Sequence, residues 1–362
     1  TVDGVDINGC HNVDQVVVEG SRIRFRADDG VHGLEYWTSD GTLAGTQMVQ
    51  DINPIGATSN ATSFVKMGGN TYFIADDGIQ GTEVWKADGT SQGTSRVSNV
   101  GAADWYDGDV SNLVATNNQI FFTGVDPTAR KELFVTDGTL VGTHLVKDIN
   151  PDNGWCWWCI IQVEDLRVIN NKVVFRAGNN TNGREMWVSD GTANGTFMLE
   201  DASPGSGNSD PDQFLVVGNR LFYRANDAVH GHMLHSTDGT IAGTHLIDYR
   251  PDHGAASGIN DSRIVGNHAL LGLEDGVHGW QWWYSDGTNA GTYLLDPYPT
   301  DGNWPESLTI SGTKAYFRAL DENMDRELYV ADETGATRLG NIRLSGSSEP
   351  DQLTATPTGI VF

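Results

Sequence analysis

The residues best suited to chemistry in this chain of 362 residues are few and unevenly placed. Cys156-Trp157-Trp158-Cys159 sets two of the three cysteines inside a tryptophan run that begins at Trp155, and the third, Cys10, lies near the start. A CxxC pair can exchange electrons, hold zinc with further ligands, or close a short disulfide. Haem attachment needs a histidine next, where Ile160 stands. A tetrahedral zinc site needs a second CxxC, which is absent, although Cys10 could add a third thiolate. Nothing around the pair reads as the strand-then-helix context of a redox motif. Cys156 and Cys159 are therefore expected to pair with each other and brace a loop, with a link to Cys10 or to another chain as the alternative.

A second group is histidine-rich. "HGHMLHS" supplies His230, His232, Met233 and His235, and His278 sits in a matching loop further on. Imidazole with thioether is a soft ligand set that suits copper. On a strand Met233 and His235 project from one face and His232 from the other. The competing reading is that His235 fills a place held by tryptophan elsewhere, and that His230 and His278 are repeat vocabulary, since "DGVHG" or "DAVHG" occurs at 29–33, 227–231 and 275–279. Carboxylates recur in the same loops at Asp28, Asp29, Asp76, Asp77, Asp227, Asp275 and Asp321. Calcium takes six to eight such oxygens, but no loop has full EF-hand spacing, and Asp in turns commonly caps its own backbone.

The third group is aromatic. Trp105, Trp155, Trp157, Trp158 and Trp304 lie outside the periodic tryptophan positions described below, in connecting segments. Loops seldom enter cores, so rings placed there suit stacking on sugars or anchoring a protein partner. Local loop packing is the competing reading.

Other chemistries are missing. There is no GxSxG elbow, HExxH helix, GxxxxGK[ST] or GxGxxG. A formal charge of −26 opposes nucleic acid, whose phosphates need Lys and Arg, and opposes anionic membrane. No segment approaches the ~20 apolar residues that span a bilayer. No charged and apolar leader opens the chain at Thr1, so a secretory signal is expected to have been removed or to lie upstream.

What positions these groups is a repeat. "GLEYWTSDGTLAGT" (33–46) returns at 81–94, 130–143, 183–196, 231–244 and 279–292, with a decayed copy, "DRELYVADETGAT", at 325–337. The aromatic slot falls at Trp37, Trp85, Phe134, Trp187, His235, Trp283 and Tyr329, spaced 46 to 53 residues apart. Each unit holds four short runs of alternating apolar and polar residues, as strands buried on one face require. DGT supplies Asp for an Asx-type cap and Gly for a positive φ, and the second Gly-Thr leads into the last strand. Four antiparallel strands in about 48 residues make a β-propeller blade.

The ends complete the pattern. "EPDQLTATPTGIVF" (349–362) matches the first two strands of another unit, and "DGVDIN" (3–8) resembles a last strand. The expected fold is one all-β propeller domain over 1–362, with eight blades, the last closed jointly by 1–10 and 349–362; seven blades is the alternative. In such a ring the tryptophan-bearing segments join the outer strand of one blade to the inner strand of the next, on one face around the channel mouth.

The phrase resembles the ELWxxDGTxxGT repeat of hyalin-like, secreted or surface-attached bacterial proteins, and the resemblance covers nearly the whole chain. It implies an extracellular place, a binding or structural role, and no catalytic residues to carry over. The functional expectation is thus a secreted or cell-surface, non-catalytic scaffold engaging an extracellular protein assembly or glycan through Trp105, Trp155, Trp157, Trp158 and Trp304. No cofactor is required in that reading. The alternative is a metal-binding protein, with copper at His230, His232, Met233, His235 or His278 or calcium in the acidic loops. An enzyme acting on polysaccharide comes third.

Overall fold

The computed structural model describes residues 14–55, 58–101, 109–126, 130–151, 162–250, 258–295, 306–340, 342–343, 346–357 and 359–362. The described chain is all-β, without a helix. Seven four-stranded antiparallel sheets follow one another along the chain, and a two-stranded hairpin, Thr354–Thr356 with Gly359–Val361, comes last. Within every four-stranded sheet neighbouring strands are consecutive in sequence, which is the arrangement of propeller blades.

The first sheet shows how the repeat becomes structure. Its strands are Asp14–Glu19, Arg22–Asp28, Leu34–Ser39 and Gln47–Gln50. Its last two strands are joined by a loop in which the repeated residues are mutually satisfied. The Asp40 carboxylate accepts hydrogen bonds from the Thr42 backbone N–H (3.0 Å) and hydroxyl (2.7 Å). Thr42 Oγ1 in turn accepts from Gly45 N (3.0 Å), and the Thr46 hydroxyl donates to Thr42 O (2.7 Å). Gly41 adopts φ 87°, and a Cβ on Gly45 would fall 1.9 Å from Asp40 Oδ1. The same Asp–Thr–Gly–Thr set recurs at 88–94, 137–143, 190–196, 238–244 and 286–292. The Asx-cap and positive-φ reading of DGT therefore holds, and the loop needs no ion to satisfy its carboxylate.

One expectation is corrected by the packing. The middle strands are buried on both faces, because the apolar core is layered between successive sheets. In the strand Ile120–Asp126, Ile120 and Phe122 join Tyr72, Ile74 and Val84 of the preceding sheet, while Phe121 joins Val173 and Phe175 of the following one. Buried strands of this kind carry near-continuous apolar runs.

Two compact units divide the chain: Thr1–Asn180 with Trp187–Met198, and Thr181–Met186 with Leu199–Phe362. In the first, the leading strands of four sheets, Asp14–Glu19, Thr62–Met67, Ser111–Ala115 and Glu164–Ile169, neighbour one another in that order. In the second, Asp212–Val217 neighbours Ile259–Val265, and Glu306–Ser311 neighbours Thr354–Thr356. The expected partner of the C-terminal hairpin, residues 1–10, lies outside the described residues.

Candidate binding site

The leading strands enter their sheets through a β-bulge, with register shifts at Asp14/Val17, Thr62/Val65, Glu164/Arg167, Asp212/Leu215 and Glu306/Thr309. The residues at these entries take left-handed φ although none is glycine: Gln15 (52°), Ser63 (57°), Asn112 (55°), Asp165 (59°), Gln213 (53°) and Ser307 (53°). Such a conformation costs about 1–3 kcal/mol per residue and persists only where surrounding structure enforces it. Its recurrence in both units marks it as part of the scaffold. In the first unit three of these residues, Gln15, Ser63 and Asn112, line a cavity of 420 Å3 together with Phe64, Leu166 and Arg167. The wall is mixed: neutral amide and hydroxyl groups, apolar side chains, and one guanidinium. That composition can hold a polar ligand by hydrogen bonds, and it carries no general acid–base pair.

The connecting segments that lead into these strands are fastened by a buried glutamate. Glu35, Glu83, Glu132, Glu185 and Glu327 occupy equivalent positions on the third strands and are all buried. Glu35, 0% exposed, accepts hydrogen bonds from Ile52 N (3.2 Å), Ser59 N (3.0 Å) and the Ser59 hydroxyl (2.7 Å). Glu185 repeats this with Ala202 N (3.1 Å), Ser209 N (3.1 Å) and the Ser209 hydroxyl (2.6 Å). Glu83 takes the Ser98 hydroxyl and Val100 N (2.7 Å), Glu132 takes Ile149 N (3.4 Å), and Glu327 takes the Ser348 hydroxyl (2.6 Å). Burial pushes the Glu35 and Glu185 carboxyls up to about 7 against the opposing pull of these hydrogen bonds. Val100 and Ile149 are held positions close before segments 102–108 and 152–161, which contain Trp105 and Trp155, Trp157 and Trp158. Beyond the second segment, Val163 N donates to Lys131 O (3.4 Å). Sequence reasoning missed this lock, whose partner serines stand 15 to 24 residues after their glutamates.

The expected partner-binding tryptophans, Trp105, Trp155, Trp157, Trp158 and Trp304, lie outside the described residues, as do Cys10, Cys156 and Cys159. The histidines are described. His230 Nδ1 is 2.6 Å from Asp227 Oδ2, and His278 Nδ1 is 2.7 Å from Asp275 Oδ2. Each closes its own loop, as His32 does with Asp29 (2.7 Å). Met233 belongs to an apolar cluster with Phe222 and Leu271. His235, 2% exposed, stacks on Tyr223 (5.4 Å between ring centroids) and places Nδ1 2.9 Å from Glu200 Oε1. Tyr223 donates to the same carboxylate oxygen. Burial pushes Glu200 up, but the hydrogen bonds and charge of His235, with Tyr223, bring it below the usual carboxylate range. Among the described residues no three His, Cys, Asp or Glu side chains are grouped to hold a metal ion, so His230, His232, His235 and His278 are not gathered into one ligand set. The acidic loops are likewise spent on caps: Asp76 on Gly78 N (2.7 Å), Asp77 on Gln80 N (2.7 Å), and Asp321 on Asn323 N (2.8 Å) and Arg338 (2.6 Å).

No protein-family model matches the chain, and no curated protein matches it. Solved structures do. The β-propeller domain of the Trilobed protease from Pyrococcus furiosus is 12% identical with a TM-score of 0.40, covering 93% of this chain and 99% of that one. Puromycin hydrolase is 14% identical (TM-score 0.42; 96% of this chain, 57% of that one). Oligopeptidase B from Leishmania major is 12% identical (TM-score 0.45; 95% of this chain, 50% of that one). The chain thus spans about half the length of the last two. At these values no activity, substrate or partner passes to it from them. They do correct the expectation of a non-enzyme, because hydrolases and peptidases stand among the matched structures, and an absence of catalysis is not retained.

Proposed function

We propose that the chain is an extracellular binding scaffold of the ELWxxDGT-repeat kind, an eight-bladed β-propeller whose last blade joins residues 1–10 to 349–362. Its partner is a protein of an extracellular assembly, or a glycan, taken up by the connecting segments that carry Trp105, Trp155, Trp157, Trp158 and Trp304. The observation that supports this reading is the 420 Å3 cavity of the first unit. It is lined by the entry residues of leading strands, and the held stems at Val100, Ile149 and Val163 lead towards and away from the tryptophan segments next to those strands. Stems fixed to buried glutamates lower the ordering cost of aromatic groups displayed between them. A Cys156–Cys159 bridge would lower it further.

The test is a glycan array combined with pull-down from extracellular extract, run on the natural chain and on Trp105→Ala and the triple Trp155→Ala, Trp157→Ala, Trp158→Ala variant. Loss of the captured ligand in the triple variant with unchanged thermal melting is expected. Capture that survives both sets of substitutions removes these segments from the binding role.

A further inference from the structure

The seventh repeat departs from the others at one junction inside the second unit. At four of the six full copies the glycine of DGT presses against a side chain of the preceding sheet, so an added Cβ would force that side chain to move. A Cβ would fall 2.6 Å from Arg24 at Gly89, 2.1 Å from Tyr72 at Gly138, 2.6 Å from Gln119 at Gly191 and 2.7 Å from Arg220 at Gly287. The seventh copy reads Asp332-Glu333-Thr334, and its loop contracts to a two-residue hairpin closed by the pair Asp332↔Gly335. Beside it lies a cavity of 370 Å3, lined by Asn267, His268, Tyr284, Thr313, Asp332 and Glu333 among others. That is within the ~300–1,000 Å3 range of small-molecule sites.

The wall of this cavity has unspent hydrogen-bonding capacity. Tyr284 is 2% exposed and its ring stacks against His268 (4.9 Å) and Tyr293 (5.2 Å), yet no described protein group hydrogen-bonds its hydroxyl. That hydroxyl is reached by solvent, so it can donate a hydrogen bond to a ligand that displaces water from the cavity. Burial and the charges of Glu333, Asp332 and Asp286 push this phenol up to about 12, which keeps it a donor. The Glu333 carboxylate and the His268 ring nitrogens are likewise unengaged among the described residues. Asp332 is already occupied, by Thr334 (2.6 and 3.0 Å) and by Lys314 at 3.6 Å.

We infer that this cavity binds a neutral sugar residue. A hydroxyl-bearing ring both donates and accepts, matching a fixed donor at Tyr284, a fixed acceptor at Glu333, and groups of either kind at Asn267, His268 and Thr313. An anion is opposed by Glu333 and Asp332. An apolar ligand would leave the Tyr284 hydroxyl unpaired. A cation would answer Glu333 but bring donors to the Tyr284 donor. Sugar binding in this cavity does not depend on the tryptophan segments.

Saturation-transfer NMR and calorimetry with D-glucose, D-galactose, D-mannose and N-acetyl-D-glucosamine, with choline and acetate as charged comparators, test it. At least one neutral sugar is expected to bind, with affinity about fivefold weaker in Tyr284→Phe, the loss of one hydrogen bond. Glu333→Gln, which replaces the charged acceptor by a neutral one on an exposed loop, is expected to weaken sugar binding while keeping the native melting curve. The inference is overturned if none of the four sugars binds, if Tyr284→Phe binds as the natural chain does, or if choline binds and Glu333→Gln abolishes it. Trp105→Ala and the triple tryptophan variant are expected to bind the sugar unchanged. Loss in those variants, with Tyr284→Phe unaffected, would move the sugar site to the tryptophan segments.

Discussion

Glu35 and Glu185 are carboxylic acids held inside the sheet packing, and their protonation is coupled to folding. Each has a folded-state pKa of about 7, above the ordinary 4.5, so between those values the folded state binds more protons than the unfolded chain. Their contribution to stability is therefore largest below about pH 4.5 and declines as pH rises through 7. Urea unfolding of Glu35→Gln and the natural chain at pH 5 and pH 8 is expected to show the Gln variant gaining relative stability at pH 8. An identical difference at both values would refute this. Glu35→Ala instead strands the Ser59 and Ile52 donors and is expected to cost about 1–3 kcal/mol at either pH. The His235–Glu200 pair has the opposite sign. Its depressed carboxylate adds stability above the ordinary pKa, lost as pH falls through the folded value. A double-mutant cycle with His235→Trp and Glu200→Gln is expected to give a coupling of about 1–3 kcal/mol. Additive effects would mean that His235 only fills space. The substitution at His235 was visible in the sequence as a departure from Trp. Glu200 was not, because its partner lies 35 residues along the chain and only tertiary packing brings them together.

At the scale of elements, the DGTxxGT loop was legible almost atom by atom, because its bonds are local. Asp40, Thr42, Gly45 and Thr46 satisfy one another within seven residues, so the motif carries its own explanation. Gly138→Ala probes the part that was not local. Its φ of 91° and the Tyr72 hydroxyl, 2.1 Å from where the added methyl group would sit, make alanine strained on two counts. A loss of about 1–3 kcal/mol is expected from thermal melting, against a smaller one for Gly20→Ala, whose Cβ position meets nothing. Equal losses would mean that backbone conformation alone governs these glycines. The entry bulges escaped sequence reading for a physical reason. Gln, Ser, Asn and Asp all occupy the left-handed position, so no residue type announces it, and only the enforced register does. The one-sided burial expected of the strands also failed in the middle of each sheet, where packing on both neighbours fills positions such as Phe121 and Phe122.

At the scale of the molecule, the seven repeats forecast seven four-stranded sheets in order, and the C-terminal match forecast the hairpin Thr354–Thr356 with Gly359–Val361. That hairpin is fastened to the seventh sheet through the Thr309 hydroxyl to Leu353 O (2.6 Å), Ser311 to Thr356 O (2.9 Å) and Ser307 to Asp351 (2.7 Å). Deleting 349–362 is expected to lower the melting temperature by several degrees and to raise protease sensitivity at 306–311. A truncated chain that melts as the full one does would contradict a closing role for this segment. Function was less legible than fold, because repeat agreement reports what the scaffold needs and does not name a ligand. The most direct test of the binding-scaffold account is the capture experiment with Trp155, Trp157 and Trp158 changed together to alanine. The account expects a folded variant that no longer retains the glycan or protein partner of the natural chain; retention at undiminished affinity would contradict it.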